Sequence, residues 1–415
     1  MKIPNLRWWI AALLFLSTVI NYIDRQTLAV VAPVLTKELN LSPVEYANIL
    51  NAFLVAYTLM YLGSGVLVDR WGTRRALSSF MVWWSASSIL HAFARTAVQF
   101  GACRMLLGLG EPGNFMAATR ATSEWFPVRE RAFVNGLSNA GASVGAVIAP
   151  PLVVWLMKTY NWQTAFIVTG ALGFVWLVAW LLLYRLPADH PNLSIGELAL
   201  ILADKEPTPQ SSEPKVPWLS LLKHRQTWGL MLGRFFSDPV WWFYLFWLPK
   251  FLTDQRGFTM DQIGMLAWLP YLTADLGSVC GGLLSGYLIK HNWDVLQARS
   301  AGMWPFALVM PISLLIIWSP SNAVVLLVIC VVTFSHMAWK TNIMTITNDI
   351  YPTKVVGSVA GIVAFGNGLG GTLFTFLVGY IVQNYGYNSI FFMMGFMHPM
   401  AFVLFRWLVR KPVTL

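Results

Sequence analysis

Long apolar runs decide what this chain can become. They fall at roughly 8–35, 46–68, 76–94, 98–121, 132–157, 163–186, 227–252, 262–289, 300–319, 323–348, 357–383 and 389–409. A helix of about 20 apolar residues crosses a bilayer, so each run suffices for one span. Charged residues make up only 11% of the 415 residues, against about 25% in soluble domains. Mean hydropathy is +0.59. The runs are too long, and alternate too little, for an outer-membrane barrel. The chain is therefore expected to be an all-α membrane protein with twelve transmembrane helices. Lys2 and Arg7 precede the first run as in a signal peptide, but no small-residue cleavage site follows. The run is expected to stay as span 1.

Residues 187–226 form the one long polar stretch, with Pro187, Pro191, Pro207, Pro209, Pro214 and Pro217 among mixed charges. That composition predicts a cytoplasmic linker. It would separate an N-terminal bundle, 1–186, from a C-terminal bundle, 227–415, of six helices each. The net charge of +10 would suggest nucleic acid in a soluble protein. Here loops fit better. With the N-terminus inside, Arg70, Arg74, Arg75, Arg129, Arg131, Lys205, Lys215, Lys223, Lys354, Arg410 and Lys411 all fall on the cytoplasmic side. Few cations fall opposite, so both termini are expected in the cytoplasm. Cys103, Cys280 and Cys330 sit within apolar runs. Their spacing suits neither a disulfide framework nor a zinc site.

The halves repeat. Glu124-Trp-Phe-Pro127-Val-Arg129 matches Asp349-Ile-Tyr-Pro352-Thr-Lys354. At the same offset Gly136, Gly141, Gly145, Tyr160, Phe166 and Gly170 fall on Gly361, Gly366, Gly370, Tyr385, Phe391 and Gly395. Internal repeats of this kind mark secondary transporters, whose substrate site lies near the midplane between the halves.

Ionisable residues inside spans are expensive, on the order of 2.5–3.5 kcal/mol each on insertion scales, and signal function. Asp24 and Arg25 lie in span 1. Arg104 and Glu111 lie in span 4, seven apart, on one face and about 10.5 Å apart along the axis. Burial disfavours the carboxylate, which makes Glu111 a candidate proton carrier. The plainer reading is that each holds a neighbouring helix. Arginine presents a fixed fork that matches a carboxylate, which favours an organic anion over a metal or an apolar drug. Trp241, Trp242, Tyr244 and Trp339 could stack on a sugar ring or simply pack between helices. Arg234 and Asp238 are four apart and are expected to pair. His336 could titrate near neutrality or be a buried hydrogen-bonding histidine.

After span 2 comes Gly65-Val-Leu-Val-Asp69-Arg70-Trp-Gly72-Thr-Arg74-Arg75. It resembles the cytoplasmic loop motif of the major facilitator superfamily, which implies two pseudo-symmetric six-helix halves. Asp69, Arg70, Gly72 and Arg74 then form a conformational latch, with Asp69 accepting charge-assisted bonds across the cytoplasmic face. The matching loop from Gly286 to Arg299 is degraded and is expected to be the weaker latch.

Arg104-Met-Leu-Leu-Gly108-Leu-Gly110-Glu111-Pro112-Gly-Asn114, continuing into Ser123 to Arg131, resembles the anion:cation symporter family within that superfamily. So does the Asp24-Arg25 pair. The runs Trp241 to Leu252, Thr273 to Ser278 and His336 to Asn342 are most similar to its hexuronate transporters. The resemblance implies proton-coupled uptake of a sugar acid, glucuronate or galacturonate among them. It associates Arg25 with the substrate carboxylate, and Asp24 and Glu111, with Arg104, with proton coupling. It places Tyr22, Tyr57, Asn114, Trp242, His336, Trp339 and Asn342 at the substrate. Some relatives carry a helix 11 asparagine near the sugar; here the neighbourhood is Ala364-Phe-Gly-Asn367-Gly.

The expected partners are the sugar acid, protons and the bilayer, with no nucleic acid. The expected energy source is the proton gradient, with no cofactor and no metal. The location is the inner membrane, as a monomer. An anion exchanger or uniporter on the same fold is the alternative. For a membrane enzyme or receptor the sequence offers no nucleophile elbow, metal motif or soluble domain.

Overall fold

A computed structural model of the protein describes residues 2–202, 218–411 and 413, and these residues contain helices and no strand. The middle of the expected linker, with Lys205, Pro207, Pro209, Pro214, Lys215 and Pro217, lies outside the described residues, as does the Lys354 side chain. All twelve expected spans are present. Spans 1 to 3 are Leu6–Glu38, Pro43–Trp71 and Thr73–Leu90. Span 4 comprises Ala97–Gly110 and Pro112–Trp125. Spans 5 to 7 are Val128–Thr159, Trp162–Leu183 and Arg225–Arg256. Span 8 comprises Met260–Leu266 and Leu269–Lys290. Span 9 runs from Val295–Ala301 through Trp304–Val309 and Met310–Leu314 to Leu315–Trp318. Spans 10 to 12 are Asn322–Ile350, Thr353–Tyr385 and Tyr387–Leu408.

Spans 4, 8 and 9 are interrupted, where the sequence suggested continuous rods. The pieces beginning at Pro112, Leu269, Trp304 and Met310 each carry a proline in their first two positions. Proline lacks the N–H that would continue the preceding helix but suits the start of a new one. Among the described residues, eight helices are long and apolar enough to cross a membrane unaided, and a bent pair, Pro43–Tyr61 with Gly63–Trp71, makes a ninth. The remaining three are spans 3, 4 and 7. Spans 4 and 7 carry the buried Arg104, Arg234, Asp238 and Lys250, charges that lower the hydropathy of those spans.

The residues group into two compact units. One takes in Met1–Val31 and Val55–Pro214, the other Ala32–Leu54 and Lys215–Leu415. Residues 32–54, the end of span 1 and the start of span 2, therefore cluster with the second unit. There the Tyr46 hydroxyl donates to the Phe246 carbonyl at 2.8 Å, and Lys250 Nζ donates to Thr36 Oγ1 at 3.2 Å.

The repeat seen in the sequence is built into the packing of each unit. In the first, a Cβ on Gly141 or Gly145 of span 5 would lie 2.5 Å from the carbonyl oxygen of Phe15 or Val19 in span 1. In the second, a Cβ on Gly366 or Gly370 of span 11 would lie 2.9 or 2.3 Å from the carbonyl of Met231 or Phe235 in span 7. Both units thus bring two backbones together at matching glycines, as membrane helices do where small residues line the contact.

The expected linker is not structureless at its start. Residues Ile195–Leu202 form a helix. Glu197 on that helix accepts the Leu6 and Arg7 backbone N–H groups at 3.1 and 3.0 Å. Its carboxylate thereby satisfies donors that the first turn of span 1 leaves open and complements the positive end of the helix.

Candidate functional site

In the first unit the site begins with side-chain direction. Successive residues on a helix diverge by about 100°, so Asp24 and Arg25 of span 1 point to different neighbours. Asp24 turns to span 3, where Ser88 Oγ donates to its Oδ1 at 2.8 Å. Arg25 turns to span 4, where its Nε and Nη2 donate to Oε2 of Glu111 at 2.8 and 2.5 Å. Glu111 sits at the break in span 4, immediately before Pro112. Its second oxygen, Oε1, has no hydrogen-bond partner among the described residues. The Arg25 guanidinium carbon also lies 4.6 Å from the Tyr22 ring centre and 4.8 Å from that of Tyr57. Two cation–π contacts and a carboxylate therefore converge on one guanidinium.

Arg104 of span 4 faces span 1. Its Nη2 donates to the Arg25 carbonyl at 3.2 Å, while its charge still acts on both Glu111 and Asp24. Asp24, Arg25, Arg104 and Glu111 are each at most 1% exposed. Two acids and two arginines balance, as a buried group of ions must to offset its desolvation. Asn114 is buried and donates to Thr18 Oγ1 at 3.0 Å, a link between spans 4 and 1. Gly110 and Gly113 let span 4 lie against Trp84 and Phe80 of span 3, which fixes the height of Glu111.

The motif from Gly65 to Arg75 closes within the same unit. Gly72 adopts φ 75°, a left-handed conformation that favours glycine between spans 2 and 3. Asp69 bonds Arg120 Nη1 at 2.8 Å, and the same nitrogen donates to the Val68 carbonyl at 3.0 Å. Arg120 Nε reaches Glu124 Oε1 at 3.0 Å, where the Thr73 hydroxyl also donates, and Tyr184 donates to the other Glu124 oxygen. Arg74 reaches the Leu181 carbonyl, and the Arg70 side chain is exposed. The second copy of the motif has its own pair, Arg299 with Asp349 at 2.9 Å. Asp349 stands at the repeat position of Glu124.

The second unit holds a separate polar group. Arg234 and Asp238 pair within span 7 at 2.6–2.7 Å, as their spacing predicts. His336 stacks on Trp241 with planes 5° apart and ring centres 5.9 Å apart. Lys340 Nζ lies 5.9 Å from the centre of the Trp241 ring. Trp242 donates its indole N–H to Asn367 Oδ1 at 3.0 Å and stacks on Phe246. The helix 11 asparagine thus has a partner in span 7, and Gly371 supplies the space beside the indole.

Trp339 and Asn342, also expected at the substrate, have packing and hydrogen-bond partners within this unit. Trp339 is fully buried in the apolar cluster with Ile343, Met303 and Phe402. Asn342 gives its amide to the carbonyls of Gly281, Ala338 and Gly302 at 3.0, 3.1 and 3.4 Å, tying span 10 to spans 8 and 9. An indole or an amide is as useful for packing as for binding, so sequence alone does not separate the roles. Sequence reasoning also missed Ser88 and His398. His398 Nε2 lies 3.1 Å from His336 Nδ1. A polar residue before Pro399 in the apolar run Phe391 to Phe405 was the available signal.

The family model of the Major Facilitator Superfamily matches residues 14–375 and again 340–415. The hexuronate transporter of Escherichia coli strain K12 is 34% identical over 99% of this chain and 96% of its own length. The galacturonate transporter of Dickeya chrysanthemi is 37% identical over 70% of this chain and 84% of its own length. Among solved structures, a bacterial homologue of the human lysosomal transporter Spinster, inward-facing and unoccupied, superposes with TM-score 0.80 at 16% identity, covering all of both chains. The buried charges in spans 1 and 4, the duplicated six-helix pattern and these matches together show that the chain belongs to the major facilitator superfamily, a family of membrane transporters rather than enzymes, and that it is similar to the hexuronate and galacturonate transporters within it.

Proposed function

We propose that the protein is a proton-coupled symporter that takes up hexuronates or related sugar acids by alternating access. It acts in the inner membrane as a monomer with both termini in the cytoplasm. The proton gradient supplies the energy, with no cofactor. The relatives named for hexuronate and galacturonate transport support the substrate class.

The observation that carries the coupling is the occupied fork of Arg25. Its Nε and Nη2 both serve one oxygen of Glu111, a carboxylate standing where a substrate carboxylate would bind. Both anions cannot hold the same donors. A proton on Glu111 Oε1, the oxygen without a partner, weakens the internal pair and frees the guanidinium. Substrate and proton then favour each other's binding, which is what coupling requires. Tyr22 and Tyr57 flank the guanidinium and line the substrate. Asp24, held by Ser88, supplies a second acid.

Uptake of labelled glucuronate into liposomes tests the reading. Accumulation driven by an imposed inward proton gradient is expected. Exchange without accumulation would favour an anion exchanger on the same fold. Absence of flux for any sugar acid would sink the proposal.

A further inference from the structure

The helix Ile195–Leu202, at the start of the expected linker, is patterned the wrong way round for a helix in water. A helix on an aqueous surface buries an apolar stripe and turns its charges outward. Here the sequence Ile-Gly-Glu-Leu-Ala-Leu-Ile-Leu carries one charge. Glu197, which holds it, is only 8% exposed and faces inward with the fully buried Ile201, four residues on. The opposite arc is Ile195, Gly196, Ala199 and Leu202, all exposed and none polar. Ile195 is 83% exposed.

The first unit holds this helix at a defined height. Glu197 accepts the Leu6 and Arg7 N–H groups. Just before the helix, the Ile3 N–H donates to the Asn192 carbonyl at 2.9 Å, and Lys2 Nζ donates to the Leu193 carbonyl at 2.6 Å. The helix therefore lies against the first turn of span 1, where the apolar run begins. Trp9 in that turn is 58% exposed, and exposed tryptophans gather where a membrane protein meets the interface. Arg7 Nε pairs with Glu130 Oε2 at 3.2 Å, which brings the start of span 5 to the same level. The starts of spans 1 and 5 and the end of span 6 carry the exposed Lys2, Arg129 and Arg185. Cations at that level are attracted to the anionic headgroups of a membrane surface.

Other occupants fit the apolar arc poorly. Residues 203–215, which follow the helix, are polar apart from Ala203 and prolines and offer no large apolar side chain. A second copy of the chain would need about 800 Å² on each partner for a stable contact, far more than one arc of an eight-residue helix presents. A bilayer surface accepts a short apolar strip without such a minimum, because the strip is already tethered beside it.

We propose that Ile195–Leu202 is an in-plane membrane anchor. Ile195, Ala199 and Leu202 enter the boundary between phospholipid headgroups and acyl chains, and Glu197 ties the start of span 1 to the anchored helix. The inference goes beyond the transport reading and rests only on span 1 beginning at the membrane surface.

Spin labels read the depth directly. Ile195→Cys, Ala199→Cys and Leu202→Cys are made one at a time in a full-length variant whose Cys103, Cys280 and Cys330 are replaced by alanine. Asp189→Cys, at an exposed polar position beside the end of span 6, is the aqueous reference. In vesicles of phosphatidylcholine and phosphatidylglycerol, the three helix labels should meet dissolved oxygen and exclude a water-soluble nickel chelate. Their expected depth is about 5–10 Å below the headgroup level. Labels that meet the nickel chelate as freely as the one at 189 would overturn the proposal. So would labels shielded from both reagents, which would show that protein covers the face. Adding Ala199→Glu, a charge on the exposed arc that displaces no packed side chain, should bring the labels at 195 and 202 out toward the chelate. Unchanged depth with that charge in place would also overturn it.

Discussion

Arg25 is held at once by a carboxylate and by two tyrosine rings. A lysine would keep the charge but lose the planar fork that delivers Nε and Nη2 to one acceptor. Arg25→Lys is therefore expected to weaken glucuronate binding by about 10- to 100-fold, the range of a charge-assisted hydrogen bond. Calorimetry on the purified protein checks this, and near-normal affinity would remove the carboxylate role. The charged residues of the first unit were legible in the sequence because a charge within an apolar run stands out. The partner of each was less so. Arg104 turned to a backbone carbonyl, and Asp24 found Ser88, a neutral residue with nothing unusual in its sequence setting. His398 escaped notice for the same reason. A neutral polar side chain acquires its meaning from what the fold brings beside it.

At the scale of elements, the repeated glycines were the most informative part of the sequence. Their spacing announced the duplication, and the structure gives the cause: a side chain at Gly141 would meet the carbonyl of Phe15. Gly141→Ala should destabilise the protein by about 1–3 kcal/mol through overpacking. Gly136→Ala on the same span, where a Cβ meets nothing within 4 Å, should be neutral or slightly stabilising. Thermal unfolding in detergent compares them, and equal behaviour would show that spans 1 and 5 do not approach so closely. The interruptions of spans 4, 8 and 9 were signalled by prolines, but a proline can also be absorbed within a continuous membrane span, as Pro239 and Pro249 are in span 7. The cytoplasmic motif was legible as a motif, though not in its partners. Asp69 bonds Arg120 while its side chain is 78% exposed, so Asp69→Asn should change stability by less than about 1 kcal/mol. A larger loss in the same melting experiment would mean that the bond is shielded more than its exposure implies.

For the molecule as a whole, the proposed symport requires that proton and substrate be tied together. The buried charges of the first unit balance, and conformational change with an unbalanced buried charge is costly. On the proposed coupling, an anionic substrate at Arg25 would upset the balance by one negative charge, and a proton at Glu111 would restore it. The loaded carrier would then move, as would the empty carrier with the Arg25–Glu111 pair intact. A carrier with substrate and an ionised Glu111 would not move readily, so substrate would not slip through without its proton. Glu111→Gln imitates the protonated acid permanently. Its amide oxygen can still accept from Arg25, so the variant should fold and bind glucuronate at least as well as the wild type. In liposomes it should exchange labelled for unlabelled glucuronate, because the loaded form is balanced without a proton. It should not accumulate glucuronate under an imposed proton gradient, since no proton is carried. If Glu111→Gln accumulates to wild-type levels, Glu111 only holds span 4 to span 1, and the coupling passes to Asp24, the second buried acid of the same unit.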